Sequence, residues 1–516
     1  MMLERFVQSW FGGFSAAVAS LAIAIGLMLS VAVPVTAWSD EPSDDGTSSS
    51  VANEEHSAGS ADRITLQSNI PYMSPWSPSQ AQRLDLYGLL SFGKQSDSDS
   101  PSARPVVVFI HGGAWIEGDQ TMAARMPLVK TLLQGGYMVA AINYRLATEA
   151  PWPAQINDCK SAIRFLRANA SKYGIDPDRI IVFGESAGGH LAMMMDVTNG
   201  TDDFVASDDG NGMVSSDVQA VISDFGISDV DQWGKSPNDD VAGAAYAKNL
   251  LFGVPQGGQY TVEQAKQASP ITYVNANAAP ILLVHGQNDQ TVSYQQSVMM
   301  ENALKQVGAK NVQSWYPING PHSSVEVFCT NIVAEKKYLD FLSEALPIAK
   351  QNTSQTPSTG TVPIYRFYKA DQNTHVFSVE RNEQVVLGQD WSGWGNEGTA
   401  FRVFDSAGQV GASDSASASV ASDSANSLPV YRLHNSDMSD YVYTSSTEES
   451  RSLVEAGWIQ DGTFAAPVKG NAAVHRLYSG GAGRHMLVVE GGAEYSALLH
   501  QGWTDEGIVF RAFTAD

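Results

Sequence analysis

The sequence predicts an α/β fold, in which helices flank a mostly parallel central sheet, followed by a mainly β domain of three repeats. From about Arg63 to Leu346, short apolar runs alternate with longer segments of helical period, which is the pattern of βαβ units. After residue 360 the composition changes, and the same aromatic and glycine landmarks recur. The 516 residues also exceed the length at which one hydrophobic core keeps growing, so at least two domains are expected.

Composition and charge narrow the class of protein. Apolar residues make up 43% of the chain and charged residues 17%, which indicates folded domains. The formal net charge of −24 disfavours nucleic acid and anionic membrane surfaces as partners, because an acidic protein repels phosphate. The two cysteines, Cys159 and Cys329, cannot form a disulfide framework. Either one disulfide or two separate buried thiols fits the sequence.

The amino-terminal region predicts export. Residues 1–37 combine Arg5 with an Ala-rich apolar run that ends in small residues at Ala37, as in a signal peptide. An uncleaved membrane anchor is the alternative, because about 20 apolar residues can also span a bilayer. Residues 38–61, rich in Ser, Asp, Glu, Ala and Gly, predict a disordered linker. The expected location is therefore secreted or at the cell surface.

The first domain, residues 62–346, contains five strand candidates and one strong helix candidate. The helix is Gln155–Tyr173, in which apolar residues recur at steps of three and four. The strands are short apolar runs of the kind that is buried on both faces of a parallel sheet. They are Val106–Ile110, Tyr137–Ile142, Arg179–Phe183, Val218–Ser223 and Ile281–Val284.

A nucleophile candidate follows one of these strands. Gly184-Glu185-Ser186-Ala187-Gly188 fits the pattern GxSxG, between the Arg179–Phe183 strand and a helical stretch from Ala187 to Met195. In this context a sharp strand-to-helix turn lifts the serine hydroxyl out of the sheet, and the helix amino terminus favours negative charge beside it. We predict that Ser186 is a nucleophile, with a purely structural serine as the competing interpretation.

A serine hydroxyl needs a base to remove its proton and a carboxylate to orient that base. Asp289 lies just after the Ile281–Val284 strand, at the edge of the sheet where α/β proteins place their sites. His322 follows in a loop, which completes the chain order serine, acid, histidine. We predict His322 as the general base, against a surface-loop histidine, and Asp289 as its partner. Asp224 and Glu326 are the competing acids.

Acyl transfer also requires hydrogen-bond donors for an oxyanion. His111-Gly112-Gly113-Ala114-Trp115 follows the Val106–Ile110 strand, where such a loop belongs. We predict an oxyanion hole formed by the amides of Gly112, Gly113 and Ala187. A plain glycine turn is the competing interpretation, and His111 is expected to be structural.

Together these motifs resemble the esterases and lipases of the α/β-hydrolase superfamily that are related to hormone-sensitive lipase, including bacterial acetyl and feruloyl-type carboxylesterases. The resemblance covers about residues 65 to 345 and includes Gln82 to Tyr87, Asp176 to Ile180 and Ala268-Ser269-Pro270. It implies ester hydrolysis through an acyl-enzyme, with no metal and no organic cofactor. Ala114 replaces the third glycine of the lipase-type loop, so the resemblance does not determine which acyl group is preferred.

Residues 361–516 predict three repeats after a linker at 347–360. The copies open with Tyr365-Arg366, Tyr431-Arg432 and His475-Arg476, and close with Trp394 and Gly398, Trp458 and Gly462, and Trp503 and Gly507. A Ser, Ala and Asp-rich insertion at 406–427 predicts a disordered loop. The repeats resemble a bacterial module of unknown function that is found on secreted hydrolases. Their aromatic rings could bind a cell wall or glycan; alternatively, the three tryptophans fill the core of each repeat.

Three functions compete. The first is a carboxylesterase for small or aromatic acyl esters, either small molecules or esters linked to polysaccharide. The second is a prolyl-oligopeptidase-type serine peptidase, although that class usually has an aromatic residue where Ala187 stands. The third is a non-catalytic cell-surface binding protein on a hydrolase scaffold. The segments Asp196–Asp217 and Asp229–Gln267 are expected to line the pocket of an enzyme.

Overall fold

The computed structural model describes residues 64–73, 81–89, 103–347, 361–404 and 427–515, apart from 202, 205–208, 238, 256 and 257. The expected signal segment 1–37 and linker 38–61 lie outside the described residues, as do residues 348–360 of the predicted linker and 406–426 of the predicted loop. Within the described ranges, no helix is both long enough and apolar enough to cross a membrane.

The chain divides into two compact units. The first comprises the chain up to Cys329 together with Phe341–Pro347, and the second comprises Thr330–Asp340 together with the chain from Ile348 onward. The sequence assigns all of residues 62–346 to the first domain. The structure differs at Thr330–Asp340, because this segment makes its contacts within the second unit, where Lys336 Nζ lies 2.8 Å from Glu380 Oε2.

An eight-stranded sheet forms the centre of the first unit. Its strands are β1 (Ile64–Pro71), β2 (Arg83–Leu89), β3 (Arg104–Ile110), β4 (Met138–Ile142), β5 (Ile175–Glu185), β6 (Ala220–Asp224), β7 (Ile281–Val284) and β8 (Val312–Trp315). They lie in the order β1-β2-β4-β3-β5-β6-β7-β8. The β1–β2 and β2–β4 pairs are antiparallel, and all the other pairs are parallel. The predicted mostly parallel sheet is therefore confirmed.

Helices pack around this sheet. They are α1 (Pro127–Gly135), α2 (Ala154–Ala168), α3 (Ala170–Tyr173), α4 (Ala187–Val197), α5 (Val241–Leu251), α6 (Val262–Gln267), α7 (Gln295–Gln306) and α8 (Val325–Phe328), with short 3-10 helices at Gln120–Arg125 and Pro270–Tyr273. The next helix, α9 (Ile332–Ala345), is divided between the two units. Every residue of α4 is buried, which explains its almost wholly apolar sequence.

The predicted helix Gln155–Tyr173 is in fact two helices, α2 and α3. The break falls at Asn169, whose side-chain Nδ2 and backbone N–H both donate to the carbonyl of Phe165, at 2.9 and 3.0 Å. An asparagine side chain that competes in this way for a backbone carbonyl interrupts a helix. The prediction that this segment is helical is therefore confirmed, and the prediction of one continuous helix is wrong.

The core of the first unit explains which strands could be recognised from sequence. Residues Val106–Ile110 of β3 are at most 1% exposed, because a parallel strand with helices on both faces is buried throughout. Burying each such aliphatic side chain stabilises the fold by about 1.5–3 kcal/mol. Cys159 and Cys329 are both buried and free, so the two-thiol interpretation holds and the disulfide does not.

The second unit shows the order strand, strand, helix, strand three times. The segments are β9 (Thr361–Lys369), β10 (Thr374–Ser378), α10 (Arg381–Leu387) and β11 (Trp394–Phe404); β12 (Ser427–His434), β13 (Tyr441–Thr444), α11 (Thr447–Glu455) and β14 (Ile459–Pro467); and β15 (Ala472–Ser479), β16 (Arg484–Val489), α12 (Ala493–His500) and β17 (Thr504–Ala512). Six strands of the first two segments form one sheet, and the last three strands form another. The predicted mainly β character is confirmed.

One arginine from each segment joins it to another segment. Each arginine binds a carboxylate on the last strand of its own segment and a glutamate on the helix of a different segment. The contacts are Arg366 with Glu397 (2.6 Å) and Glu494 (2.8 Å), Arg432 with Asp461 (2.8 Å) and Glu383 (2.7 Å), and Arg476 with Glu506 (2.6 Å) and Glu449 (2.7 Å). The ion pairs therefore link the three segments in a closed ring.

The three tryptophans at the segment ends differ in exposure. Trp394 is 7% exposed and belongs to the hydrophobic core of the unit. Trp503 packs against a smaller cluster that contains Leu477 and Met486, and Trp458 is half-buried. The contacts of Trp394 and Trp503 favour the core interpretation of these residues over the sugar-stacking one.

Candidate active site

Ser186 occupies a sharp turn between β5 and α4. Its φ of 54° and ψ of −114° lie outside the regions that a residue with a side chain prefers, and such strain is typical of functional sites. Glycine is required on both sides of the turn. A Cβ atom on Gly184 would lie 2.1 Å from the carbonyl oxygen of Gly188, and one on Gly188 would lie 2.0 Å from that of Ile110. The GxSxG pattern thus reflects close backbone packing around the serine.

His322 lies beside Ser186. Its Nε2 atom is 3.0 Å from Ser186 Oγ, and its side chain is 17% exposed, so solvent can reach it. The ring of Phe225, just after β6, packs edge-on against the imidazole with ring centroids 4.7 Å apart. Phe225 therefore restricts the orientation of the imidazole, a contribution that the sequence did not indicate.

Asp289 completes the hydrogen-bonded chain. Its Oδ2 atom lies 2.6 Å from Nδ1 of His322, and its Oδ1 atom accepts the backbone N–H groups of Thr291 and Val292 at 2.8 and 2.9 Å. Burial alone would raise the pKa of the Asp289 carboxyl, but His322 and His285 outweigh it and hold this pKa well below its usual range. The carboxylate is therefore ionised when it faces His322.

A second histidine, His285, supports Asp289. Its Nε2 lies 3.1 Å from Asp289 Oδ2 and 2.8 Å from the carbonyl of Val292. Because both neighbours are acceptors, Nε2 carries the proton, and Nδ1 is left to accept the hydroxyl of Ser297 at 2.7 Å. His285 directly follows the Ile281–Val284 strand in the sequence, but its role depends on a loop conformation that the sequence does not specify.

The loops that carry Asp289 and His322 are joined through their backbones. The amide of Asn288 donates to the carbonyl of Gly320 at 3.1 Å, and that of Gln287 donates to Pro317 at 2.9 Å. A Cβ atom on Gly286 would lie 2.0 Å from the Gly320 carbonyl oxygen. The two loops can approach this closely only because glycine occupies both positions.

The two competing acids lie elsewhere. Asp224 meets Ser186 through its backbone, since its carbonyl accepts the Ser186 N–H at 2.8 Å. Glu326 is exposed and accepts the hydroxyl of Ser324 at 3.0 Å. Among the described residues, Asp289 is the carboxylate that lies within hydrogen-bond distance of His322.

Two of the predicted oxyanion donors, Gly112 and Ala187, adjoin the turn at Ser186. A Cβ atom on Gly112 would lie 3.4 Å from Ser186 Cβ and 3.1 Å from the Glu185 carbonyl oxygen, so this glycine lies next to the predicted nucleophile. Ala187 is the first residue of α4, and the first N–H groups of a helix have no intrahelical acceptor. Within the described part of the chain, the amides of Gly112, Gly113 and Ala187 donate to no other backbone group.

Glu185 places a further titratable group next to Ser186. Burial raises the pKa of its carboxyl to about 7, and the neighbouring His322 partly opposes that shift. The charge beside the imidazole therefore changes near neutral pH. The sequence motifs did not predict a role for Glu185.

Comparison with known proteins matches two parts of the chain to family models. A family model described as BD-FAE matches residues 95–304. Over these residues the chain is similar to α/β-hydrolase esterases related to hormone-sensitive lipase. A second model, a domain of unknown function (DUF5648), matches residues 340–413 and 411–513. Because that module matches as two segments, the number of repeat copies stays a prediction.

Individual relatives of this esterase family match only part of the chain. The probable carboxylic ester hydrolase LipM of Mycobacterium tuberculosis is 31% identical over 45% of this chain and 51% of its own length. Esterase LipQ of the same organism is 30% identical over 56% of this chain and 65% of its own length. A solved truncated carbohydrate esterase from gut microbiota is 31% identical, with a TM-score of 0.47, over 55% of this chain and 96% of its own. The chain thus spans about half to two thirds of the curated relatives.

Proposed function

We propose that this protein is an exported serine carboxylesterase that hydrolyses small or aromatic acyl esters through an acyl-enzyme on Ser186. The observation that carries the proposal is the continuous chain from Ser186 Oγ through both nitrogens of His322 to Asp289, with distances of 3.0 and 2.6 Å. Such a chain lets a neutral imidazole take the hydroxyl proton while a carboxylate stabilises the resulting imidazolium.

Acylation begins when Ser186 Oγ attacks the ester carbonyl carbon and transfers its proton to His322 Nε2. The carbonyl oxygen becomes an oxyanion, which the amides of Gly112, Gly113 and Ala187 stabilise with the amino terminus of α4. Collapse of this intermediate breaks the bond to the alcohol, which leaves with the proton from His322. The acyl group then remains bound to Ser186 Oγ as an ester.

Deacylation repeats these steps with water. His322 removes a proton from the water as its oxygen attacks the acyl carbon, and the same amides stabilise the second oxyanion. Collapse releases the carboxylic acid, and His322 returns the proton to Ser186 Oγ. No metal or organic cofactor takes part in this proposed sequence.

A panel of p-nitrophenyl esters, from acetyl to long-chain acyl groups, together with feruloyl esters and peptide p-nitroanilides, tests the proposal. We expect turnover of acetyl or aromatic esters, and none above background for Ser186→Ala. Turnover of the anilides alone would favour the peptidase alternative, and a wild-type protein inactive on the entire panel would favour the non-catalytic scaffold.

We propose further that the repeats hold the enzyme near glycans that carry the ester. The supporting feature is an aromatic–imidazole pair that recurs in each segment. The pairs, with their ring-centroid distances, are Tyr368 and His375 (4.7 Å), Tyr441 and His434 (5.7 Å), and Tyr478 and His485 (4.8 Å). Tyr368 and Tyr478 are partly exposed, so their rings can contact the face of a sugar.

A further inference from the structure

The loop that carries Gly112 and Gly113 has an unusual backbone. Gly113, Ala114 and Trp115 have φ values of 108°, 52° and 63°, so two residues with side chains adopt the left-handed region next to a glycine. Each such residue costs roughly 1–2 kcal/mol. A strained conformation of this kind persists only when its surroundings fix it.

Trp115 is the residue through which the surroundings fix this loop. It is fully buried, its carbonyl accepts the amide of Ala147 at 2.7 Å, and its indole packs edge-on against Trp233 at 5.7 Å. Trp233 in turn donates its indole N–H to the carbonyl of Thr291 at 3.0 Å. Trp233 comes from the segment Asp229–Gln267, which the sequence predicts to line the pocket.

The indole N–H of Trp115 contacts α4, the helix that begins after Ser186. Its Nε1 donates to Nδ1 of His190 at 3.2 Å, and His190 lies one turn into α4, where its amide donates to the Ser186 carbonyl at 2.9 Å. The hydrogen bond thus joins the two elements that carry the predicted oxyanion donors, the loop with Gly112 and Gly113 and the helix that begins at Ala187.

The remaining contact of His190 fixes the tautomer that this bond requires. Nε2 of His190 lies 2.5 Å from the carbonyl of Ala268, so Nε2 carries the proton and Nδ1 keeps its lone pair for Trp115. Burial lowers the pKa of His190 to about 4, against a smaller opposing effect of the Ala268 carbonyl. The imidazole therefore stays neutral through the pH range in which an esterase is assayed.

We propose that Trp115 and His190 are positioning residues that set the spacing between the two halves of the oxyanion hole. The inference rests on the proposed esterase function. Neither side chain needs to touch the substrate. Because oxyanion donors act on the transition state and barely on the bound ester, a loss of this spacing affects kcat and leaves KM nearly unchanged.

The test uses substitutions in the full-length enzyme. Trp115→Phe removes the indole donor and keeps an aromatic ring in the core, and His190→Leu removes the acceptor. His190→Asn is the matched control, because the Asn Oδ1 atom is bonded to Cγ as the His Nδ1 atom is and can still accept from Trp115. We measure kcat, KM, the affinity for a trifluoromethyl ketone that forms an oxyanion adduct with serine, and the melting temperature.

We expect Trp115→Phe and His190→Leu to lower kcat by about tenfold to a hundredfold, with KM within about twofold and a parallel loss of ketone affinity. His190→Asn is expected to keep most of the activity. An unchanged kcat overturns the proposal. A loss of kcat that accompanies a lower melting temperature or a changed KM, with the ketone affinity unchanged, overturns it too. A wild-type enzyme that neither turns over esters nor binds the ketone refutes the proposed function instead.

Discussion

Asp289 combines deep burial with four hydrogen-bond donors. Two of these donors are backbone amides, and two are the imidazoles of His322 and His285. The backbone pair fixes the plane of the carboxylate, so that Oδ2 faces His322. The orientation of His322 thus depends on this carboxyl group.

We expect Asp289→Asn to lower kcat by roughly 10⁴ with little change in structure, because an amide favours the wrong imidazole tautomer. Steady-state kinetics on a small ester measure this change. Glu326→Gln is the control, because this exposed carboxyl lies away from His322, and it should leave kcat within about twofold. If Asp289→Asn keeps nearly the wild-type kcat while Asp224→Asn or Glu326→Gln loses most of it, another acid orients His322.

Single residues of the candidate site could be predicted from the sequence where the chemistry requires particular residue types in a set chain order. Ser186, Asp289 and His322 were predicted to act together, and the structure places them within hydrogen-bond distance; their roles stay predictions until tested. His285 and Phe225 were not foreseen. Their contributions depend on a loop conformation and on packing between distant segments, and a single sequence records neither.

Helix α4 begins directly after Ser186 and carries a buried acid near its end. Asp196 is fully buried; its Oδ1 accepts the amide of Ala279 at 2.7 Å, and its Oδ2 has no hydrogen-bond partner among the described residues. Burial raises the pKa of Asp196 to about 8, although the Ala279 amide opposes the shift. The native state therefore holds a proton there that the unfolded chain, with an ordinary pKa of about 3.9, loses.

Stability linked to Asp196 is therefore present below about pH 4 and is lost as the pH rises towards about 8. We expect Asp196→Asn to flatten the fall in unfolding free energy between pH 5 and pH 9 by a few kcal/mol, because the roughly three pH units between pH 5 and the pKa of about 8 are each worth about 1.4 kcal/mol. Urea unfolding at several pH values measures this slope. Asp178→Asn, at an exposed carboxyl, is the control; equal slopes in the wild type and both variants would contradict the buried-acid account.

The arginine ring of the second unit allows a comparison between repeats. Arg432 and Glu383 have side chains 6% and 9% exposed, whereas Arg366 and Glu494 are 22% and 46% exposed. Arg432→Met leaves a buried carboxylate without its partner, so we expect the second unit to lose about 3–5 kcal/mol of unfolding free energy. Arg366→Met should cost about 0–1 kcal/mol. Similar losses of unfolding free energy for Arg432→Met and Arg366→Met, measured by urea unfolding, would show that burial does not distinguish the two ion pairs.

Elements were predictable from sequence where burial imposes a simple pattern. The run Ile281–Val284 was predicted as a strand with the bounds that β7 has, because a strand buried on both faces is continuously apolar. The interruption between α2 and α3 was not predicted, since the apolar period continues through Asn169 and only the side-chain hydrogen bond to Phe165 reveals the break. The ion pairs between repeats likewise join residues far apart in sequence.

At the scale of the whole molecule, the residues proposed for catalysis all belong to the first unit. A chain that ends at Gln355 should therefore keep kcat/KM on small soluble esters within about threefold, and lose rate on polymer-bound esters because the local substrate concentration falls. Parallel assays on p-nitrophenyl acetate and acetylated xylan measure the two effects. Equal losses on both substrates would mean that the repeats act by stabilising the catalytic unit, and no loss on either would remove their proposed glycan role.

Reaction with a fluorophosphonate tests whether Ser186 is an activated nucleophile, because this reagent phosphonylates a serine only when a neighbouring base and oxyanion donors activate it. The full-length protein is labelled and digested, and the modified peptide is sequenced by mass spectrometry. We expect stoichiometric labelling on Ser186, none in Ser186→Ala, and strongly slowed labelling in Asp289→Asn. A wild-type protein that stays unlabelled, or that carries the label on another serine, would contradict this expectation.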